Sequence, residues 1–190
     1  MKIGVLGLQG DVREHVAAVG SVDAAPLVVK RADELASVDG LIIPGGESTT
    51  IGKLLDRFGL LHPIIERARS GMPLYGTCAG LILMAKHVAG EQAAPHRLGV
   101  MDATVRRNAY GRQAESFETD IDIASFDGPF RAVFIRAPAI HAVGDDVDVL
   151  AEHDGEPVMV RQGRLLGSSF HPEMTGDTRV HRLFVSMVDG

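Results

Sequence analysis

The sequence predicts an α/β fold over a single domain, residues 1–190, with a mostly parallel central sheet and helices on both faces. Two observations predict it. Through the first half, short apolar runs alternate with helix-period patterns, as in chains that build parallel strands through helical crossovers. The second half then reads as strand after strand, with no repeat, low-complexity tract or linker to divide it from the first.

Ile3 to Leu8 is the first strand, and Val12 to Val19 the first helix, because Val12, Val16 and Val19 recur at spacings of four and three. Leu27 to Val29 and Leu41 to Ile43 are strands, the latter stopped by Pro44-Gly45-Gly46. Thr49 to Leu55 reads as a helix capped by Ser48, and Ile64 to Arg69 as another, closed by Gly71 and Pro73. Leu74-Tyr75 is a short strand, and Ala79 to Val88 a strongly apolar helix. Further strands are expected over Ala103 to Arg106, Ser116 to Ile123, Ala132 to Ile135, Val147 to Ala151, Val158 to Arg161 and Leu165 to Phe170. Gln162-Gly163 supplies a hairpin turn between the last two, and a helix from about Thr178 to Val188 follows.

Composition narrows the function. Lys plus Arg is 19 and Asp plus Glu is 25, a formal charge of −6, so the overall positive field of non-specific nucleic-acid binders is absent. No apolar stretch approaches the roughly 18 residues of a membrane span. A single cysteine, Cys78, excludes an intramolecular disulfide and any site with two cysteine ligands, which favours a reduced, cytoplasmic setting.

Cys78 is the most informative residue. It stands in Pro73-Leu-Tyr-Gly-Thr-Cys78-Ala-Gly-Leu-Ile-Leu-Met84, between an apolar strand and an apolar helix, with glycines two residues before and after it. That is the pattern of a nucleophile elbow, whose strained turn projects its side chain above the strand ends. The helix N-terminus favours thiolate and offers the Ala79 N–H to an oxyanion. A lone cysteine is more often a small buried hydrophobe, but the flanking glycines favour the elbow.

A thiol nucleophile needs a base, and the base needs a group to orient it. Of eight histidines, most fall in helical or polar stretches and read as solvated surface residues. His171 differs: it ends the run Leu165 to Phe170 and precedes Pro172, which keeps it extended, so that Glu173 two residues on can reach its ring. His-x-Glu alone is a weak pattern; its place at a strand end, in a chain with a cysteine elbow, gives it weight. The third element is Pro44-Gly-Gly-Glu-Ser-Thr-Thr50, between a strand and a helix. It reads as an ordinary turn, as a phosphate loop lacking the usual Gly-Lys-Ser/Thr ending, or as one wall of an oxyanion hole facing Cys78.

Pro-Gly-Gly, Gly-Thr-Cys-Ala-Gly and His-Pro-Glu, in this order and separation, resemble the class I (triad) glutamine amidotransferases. Gly4-Val-Leu-Gly-Leu-Gln-Gly-Asp11, Pro44 to Thr50, Arg107-Asn-Ala-Tyr-Gly-Arg-Gln113 with Ser116-Phe-Glu118, and Phe134-Ile-Arg-Ala-Pro138 narrow the resemblance to glutaminase subunits of pyridoxal 5′-phosphate synthase. The resemblance implies a flavodoxin-like fold, hydrolysis of L-glutamine to glutamate and ammonia, and no metal or cofactor. It implies Cys78 as nucleophile, His171 as proton shuttle and Glu173 as its orienting group. It places glutamine on Gly46, Glu47, Ser48, Arg107, Ile135 and Arg136, and the oxyanion on backbone near Gly45, Gly46 and Ala79. Gln9 matches a family position near that oxyanion hole, where the loop is expected to couple partner docking to hole formation. The implied partner is a (β/α)8-barrel synthase subunit in a 12+12 complex, which takes up the ammonia; no nucleic-acid or membrane partner is expected.

Three other readings stand beside it. A different hydrolase with a cysteine elbow would lack the Arg107–Gln113 and Phe134–Pro138 blocks. A non-catalytic regulatory relative would usually have lost a triad member. A sister amidotransferase would feed ammonia to another pathway.

Overall fold

The computed structural model describes residues 1–91, 96–107 and 116–190. The chain runs through β1 (Lys2–Leu6), α1 (Val12–Gly20), β2 (Ala25–Val29), α2 (Ala32–Ala36), β3 (Gly40–Ile43), α3 (Ser48–Arg57), α4 (Leu61–Arg69), β4 (Leu74–Thr77) and α5 (Ala79–Met84). It continues through β5 (Ala85–Val88), β6 (Met101–Arg106), β7 (Ser116–Ile121), β8 (Phe130–Ile135), β9 (Ala139–Val143), β10 (Asp148–His153), β11 (Glu156–Gln162) and β12 (Leu165–Ser168) to α6 (Arg179–Asp189).

The central sheet has seven strands in the order β10-β11-β12-β4-β3-β1-β2. From β12 to β2 all neighbours are parallel, and β10 and β11 extend the sheet as antiparallel strands. The chain leaves β1 toward β2 on one side and returns to β3 on the other. A crevice therefore opens at the carboxyl ends of β1 and β3, where open α/β sheets bind ligands.

Successive strand residues face opposite sides, so each strand feeds two cores. Leu41 and Ile43 join one core with Leu35 of α2, Ile51 and Leu55 of α3, Ile64 of α4 and Leu81 of α5. Ile42 and Tyr75 join the other, with Val19 of α1, Phe130 and Phe134 of β8, and Val180 and Phe184 of α6. Helices thus cover both faces, as the sequence predicts. Among the described residues no helix is long and apolar enough to cross a membrane.

The structure departs from the sequence reading at several points. The run expected as one helix over Ala79 to Val88 is helix only to Met84; Ala85 turns extended (φ −63°, ψ 138°) and β5 pairs in parallel with β6. A short apolar run carries no period that separates helix from strand, and the available partner edge decided it. The later strands do not all join the central sheet: β5-β6-β9 and β7-β8 form separate sheets. The sequence predicts neither α2 nor β9; at five residues each, both are too short to show a period. The β11–β12 turn is Gly163-Arg164, because Gln162 still pairs with Leu165 and Gly163 takes the left-handed backbone (φ 55°). Ser48 is not the cap of α3 but its first residue; Glu47 is the cap, accepting from the Thr49 and Thr50 amides at 2.9 and 2.7 Å.

Candidate active site

The elbow is built as its sequence requires. β4 is buried along its length, and the next residue, Cys78, takes a strained left-handed backbone (φ 47°, ψ −100°) before α5 begins at Ala79. The flanking glycines are steric necessities: a Cβ on Gly80 would run into the Ile43 carbonyl oxygen, and one on Gly76 would come 2.5 Å from the Gly80 carbonyl carbon. Only bare backbone lets α5 approach β3 and β4 this closely. The Cys78 amide donates to Ser168 O at 2.8 Å, which ties the elbow to β12, and its Sγ lies 3.8 Å from Ile135 O.

His171 follows β12 on the neighbouring strand. Its backbone N–H donates to Val133 O at 2.8 Å, and its ring Nδ1–H donates to Glu173 Oε1 at 2.7 Å. The route differs from the extended one expected: Pro172–Met174 is a single 3-10 turn, and this turn folds the Glu173 carboxylate back onto the ring. A second carboxylate, Asp11 Oδ2, stands 3.4 Å from the same nitrogen, a neighbour that sequence spacing did not reveal. Burial lowers the His171 pKa, but hydrogen bonds with Asp11, Cys78 and Glu173 outweigh it and hold the imidazolium well above its ordinary range. Burial of Glu173 is likewise outweighed, by His15 and His171, so its carboxylate stays ionised well below the usual range. Asp11, His171 and Glu173 bring ligand-type atoms within 4.8 Å of one another, the only such group among the described residues. The 2.7 Å His171–Glu173 contact has the length of a charge-assisted hydrogen bond.

These side chains open into a cavity of about 410 Å³, lined by Cys78, Ala79 and His171 together with Gly46, Glu47, Ser48, Arg107, Ile135 and Arg136. Every residue expected to hold substrate is there, joined by Gln9, Asp11 and Ile82. Gly45 stands behind this wall, its carbonyl accepting from the Asp11 amide at 3.2 Å. Gln9 Oε1 accepts from the Glu47 amide at 2.9 Å, which fixes the glycine loop against the loop after β1. Arg107 is held over the cavity by Ser48 Oγ at 2.6 Å and Glu91 Oε1 at 2.8 Å. Burial raises the Glu47 pKa, but hydrogen bonds from Thr50 and Thr49 bring it down to about 2, so the cap stays an anion. Arg136 carries left-handed backbone (φ 45°) at the end of β8, a second strained residue on the cavity wall. The block after Arg107, residues 108–113, lies outside the described residues.

Two histidines expected on the surface are wholly buried: His15 and His181. Sequence carried a signal for both, since His15 falls within the Val12–Val16–Val19 stripe and His181 lies three and four residues before Phe184 and Val185. Burial, with His15 adding to it, brings the His181 pKa down to about 4. A base whose folded pKa lies below its unfolded value contributes stability above that unfolded value, 6.5, and loses it as pH falls toward 4. The loss amounts to about 3 kcal/mol. The urea midpoint is expected to fall between pH 6.5 and 4, and His181→Leu to flatten that part of the curve. An unchanged slope in the variant would assign the acid lability elsewhere.

A thiol on an elbow, a His–carboxylate pair just past the end of the neighbouring strand and a glycine loop opposite define a triad-type amidotransferase. The chain belongs to the SNO glutamine amidotransferase family, whose model matches residues 5–190. It is 58% identical over 186 residues to the pyridoxal 5′-phosphate synthase subunit PdxT of Mycobacteroides abscessus, covering 98% of this chain and 96% of that one. The protein of the same description from Niallia circulans is 55% identical over 188 residues, covering 99% and 98%. A crystal structure of a glutamine amidotransferase superposes with a TM-score of 0.94 at 46% identity, covering 99% of both chains. The structure of PurLQS from Thermotoga maritima, 16% identical with a TM-score of 0.67 and covering 97% of both chains, shares the fold.

Proposed function

We propose that this chain, as one domain over residues 1–190, is the glutaminase subunit of a pyridoxal 5′-phosphate synthase. The observation that carries the reading is the meeting of Cys78 and His171, the latter held by Glu173, at a cavity walled by Gly46, Glu47, Ser48, Arg107, Ile135 and Arg136. Relatives above 50% identity along nearly the whole chain are named pyridoxal 5′-phosphate synthase subunit PdxT.

In this reading the Cys78 thiolate attacks the side-chain amide carbon of L-glutamine, and the carbonyl oxygen becomes an oxyanion. Ala79 N–H, at the start of α5, and amides near Gly45 and Gly46 receive it, each donor lowering the barrier by about 3–4 kcal/mol. The His171 imidazolium gives its proton to the departing nitrogen, ammonia leaves, and a glutamyl thioester remains. Water then attacks the thioester as His171 takes its proton, and glutamate departs with the thiolate restored. Glu173 keeps the Nδ1 proton in place throughout, so the other ring nitrogen serves the reaction. Arg107 and Arg136 suit the substrate carboxylate, since a guanidinium can bind both oxygens.

Ammonia passes to a (β/α)8-barrel synthase subunit, with the two proteins forming a 12+12 complex. The Gln9 contact with Glu47 supports the expectation that the loop after β1 couples docking to the oxyanion wall. The test is glutamate release from glutamine with and without the synthase subunit. Release that rises with the partner is the expected result. Equal release in both conditions would make the chain a freestanding glutaminase, and none in either would overturn the activity.

A further inference from the structure

The mechanism above leaves two buried histidines unused. His15 on α1 and His181 on α6 are fully buried, and His15 Nδ1 lies 3.1 Å from His181 Nε2. On its other side His15 Nε2 lies 3.1 Å from Thr77 Oγ1 and 3.4 Å from Glu173 Oε1. Thr77 immediately precedes the elbow cysteine. One imidazole therefore bridges the strand that carries Cys78 and the carboxylate that holds His171.

The partners assign the protons. Buried and neutral, His181 carries a single ring proton. On Nδ1 that proton would face no acceptor, because Nδ1 is buried without a hydrogen-bond partner among the described residues. On Nε2 it donates to His15 Nδ1. A buried N–H left without an acceptor is among the rarest and costliest arrangements in proteins, so the second tautomer prevails. His15 Nδ1 then accepts, and the His15 proton sits on Nε2, shared between the Thr77 hydroxyl and the Glu173 carboxylate. The opposite tautomer of His15 would aim a lone pair at a carboxylate oxygen 3.4 Å away.

Glu173 needs that proton. Its Oε1 takes the His171 Nδ1–H at 2.7 Å, while Oε2 is buried without a partner among the described residues. A carboxylate held by one hydrogen bond can pivot, and the imidazole bound to it pivots too. We propose that His15, itself held by His181, is a positioning residue for the hydrolysis: its Nε2–H, shared with the Thr77 hydroxyl, holds the Glu173 carboxylate and thereby keeps His171 aimed at Cys78. The inference rests on the triad assigned above. It also gives α1 a place in the site, because the same helix follows directly on the Gln9–Asp11 loop at the cavity.

The experiment measures glutamate release by the full chain with saturating synthase subunit, in His15→Leu, His15→Gln and His15→Asn. A glutamine amide extends to where the Nε2–H stands, whereas an asparagine amide ends near Nδ1 and cannot reach Glu173. His15→Leu and His15→Asn are expected to lower kcat roughly tenfold or more with KM nearly unchanged, and His15→Gln to restore most of it. Matching melting temperatures for the Gln and Asn variants would separate positioning from folding. Equal kcat in those two variants, or a loss confined to KM, would overturn the proposal. Should His15→Leu fail to fold, the Gln–Asn comparison decides alone. Cys78→Ala runs alongside: turnover persisting there would overturn the triad itself, whereas an inactive Cys78→Ala beside a fully active His15→Leu would overturn only the role of His15.

Discussion

Cys78→Ala is expected to abolish glutamine hydrolysis and leave the fold nearly intact. No other thiol exists in the chain, so the thioester route is lost whole, a fall of about 10⁴-fold or more in kcat. The structural cost is small. Alanine keeps the Cβ and inherits the same left-handed backbone, and the change removes the Sγ interactions with Ile135 O, at 3.8 Å, and with the His171 ring. A change in unfolding free energy of about 1 kcal/mol or less follows. Steady-state glutamate release and a urea titration check the two halves. Activity within tenfold of the parent would remove Cys78 as nucleophile.

Gly45→Ala is the second large effect, and it removes no catalytic side chain. A Cβ on Gly45 would run into His171 Cε1 and come 2.8 Å from Asp11 Oδ2. The 3-10 turn and the Glu173 hydrogen bond hold the imidazole, so the added methyl would push it out of its place. Displacing a catalytic group by about 1 Å can cost on the order of 10²-fold in rate, and a loss of that size is expected in kcat. Because the added methyl meets a side chain at the cavity edge, the melting temperature should fall far less than it would for Gly80→Ala. There the new Cβ meets the backbone oxygen of Ile43 between two buried elements. Gly45→Ala retaining full activity would mean that His171 has room to move without consequence.

Much of the site was legible in the sequence because its parts lie close together in the chain. Gly76, Cys78 and Gly80 announce an elbow through spacing alone, and the steric reason proved to be the approach of α5 to the Ile43 carbonyl. His171 and Glu173 were paired correctly, although through a 3-10 turn rather than an extended segment. Gly46, Glu47, Ser48, Arg107, Ile135 and Arg136 came from family resemblance; nothing in their spacing marks them. The structure gathers all six around Cys78. Glu47 was placed at the substrate, and its side chain also caps α3.

What the sequence by itself determined is the set of features that local chemistry dictates: alternating strands and helices, the parallel sheet that follows from them, the strained turn at Cys78, and the His–Glu pair. What only the tertiary structure decided depends on groups far apart in the chain. Ala85–Val88 became a strand because β6 offered an edge. Asp11, from the loop after the first strand, came to share His171 with Glu173, and His15 and His181 met beneath Glu173 from helices at opposite ends of the chain. Hydrophobic period and turn residues act over a few positions, so they write themselves into the sequence. Buried polar contacts form only when the sheet brings distant strand ends side by side, and no local pattern encodes which of them will meet.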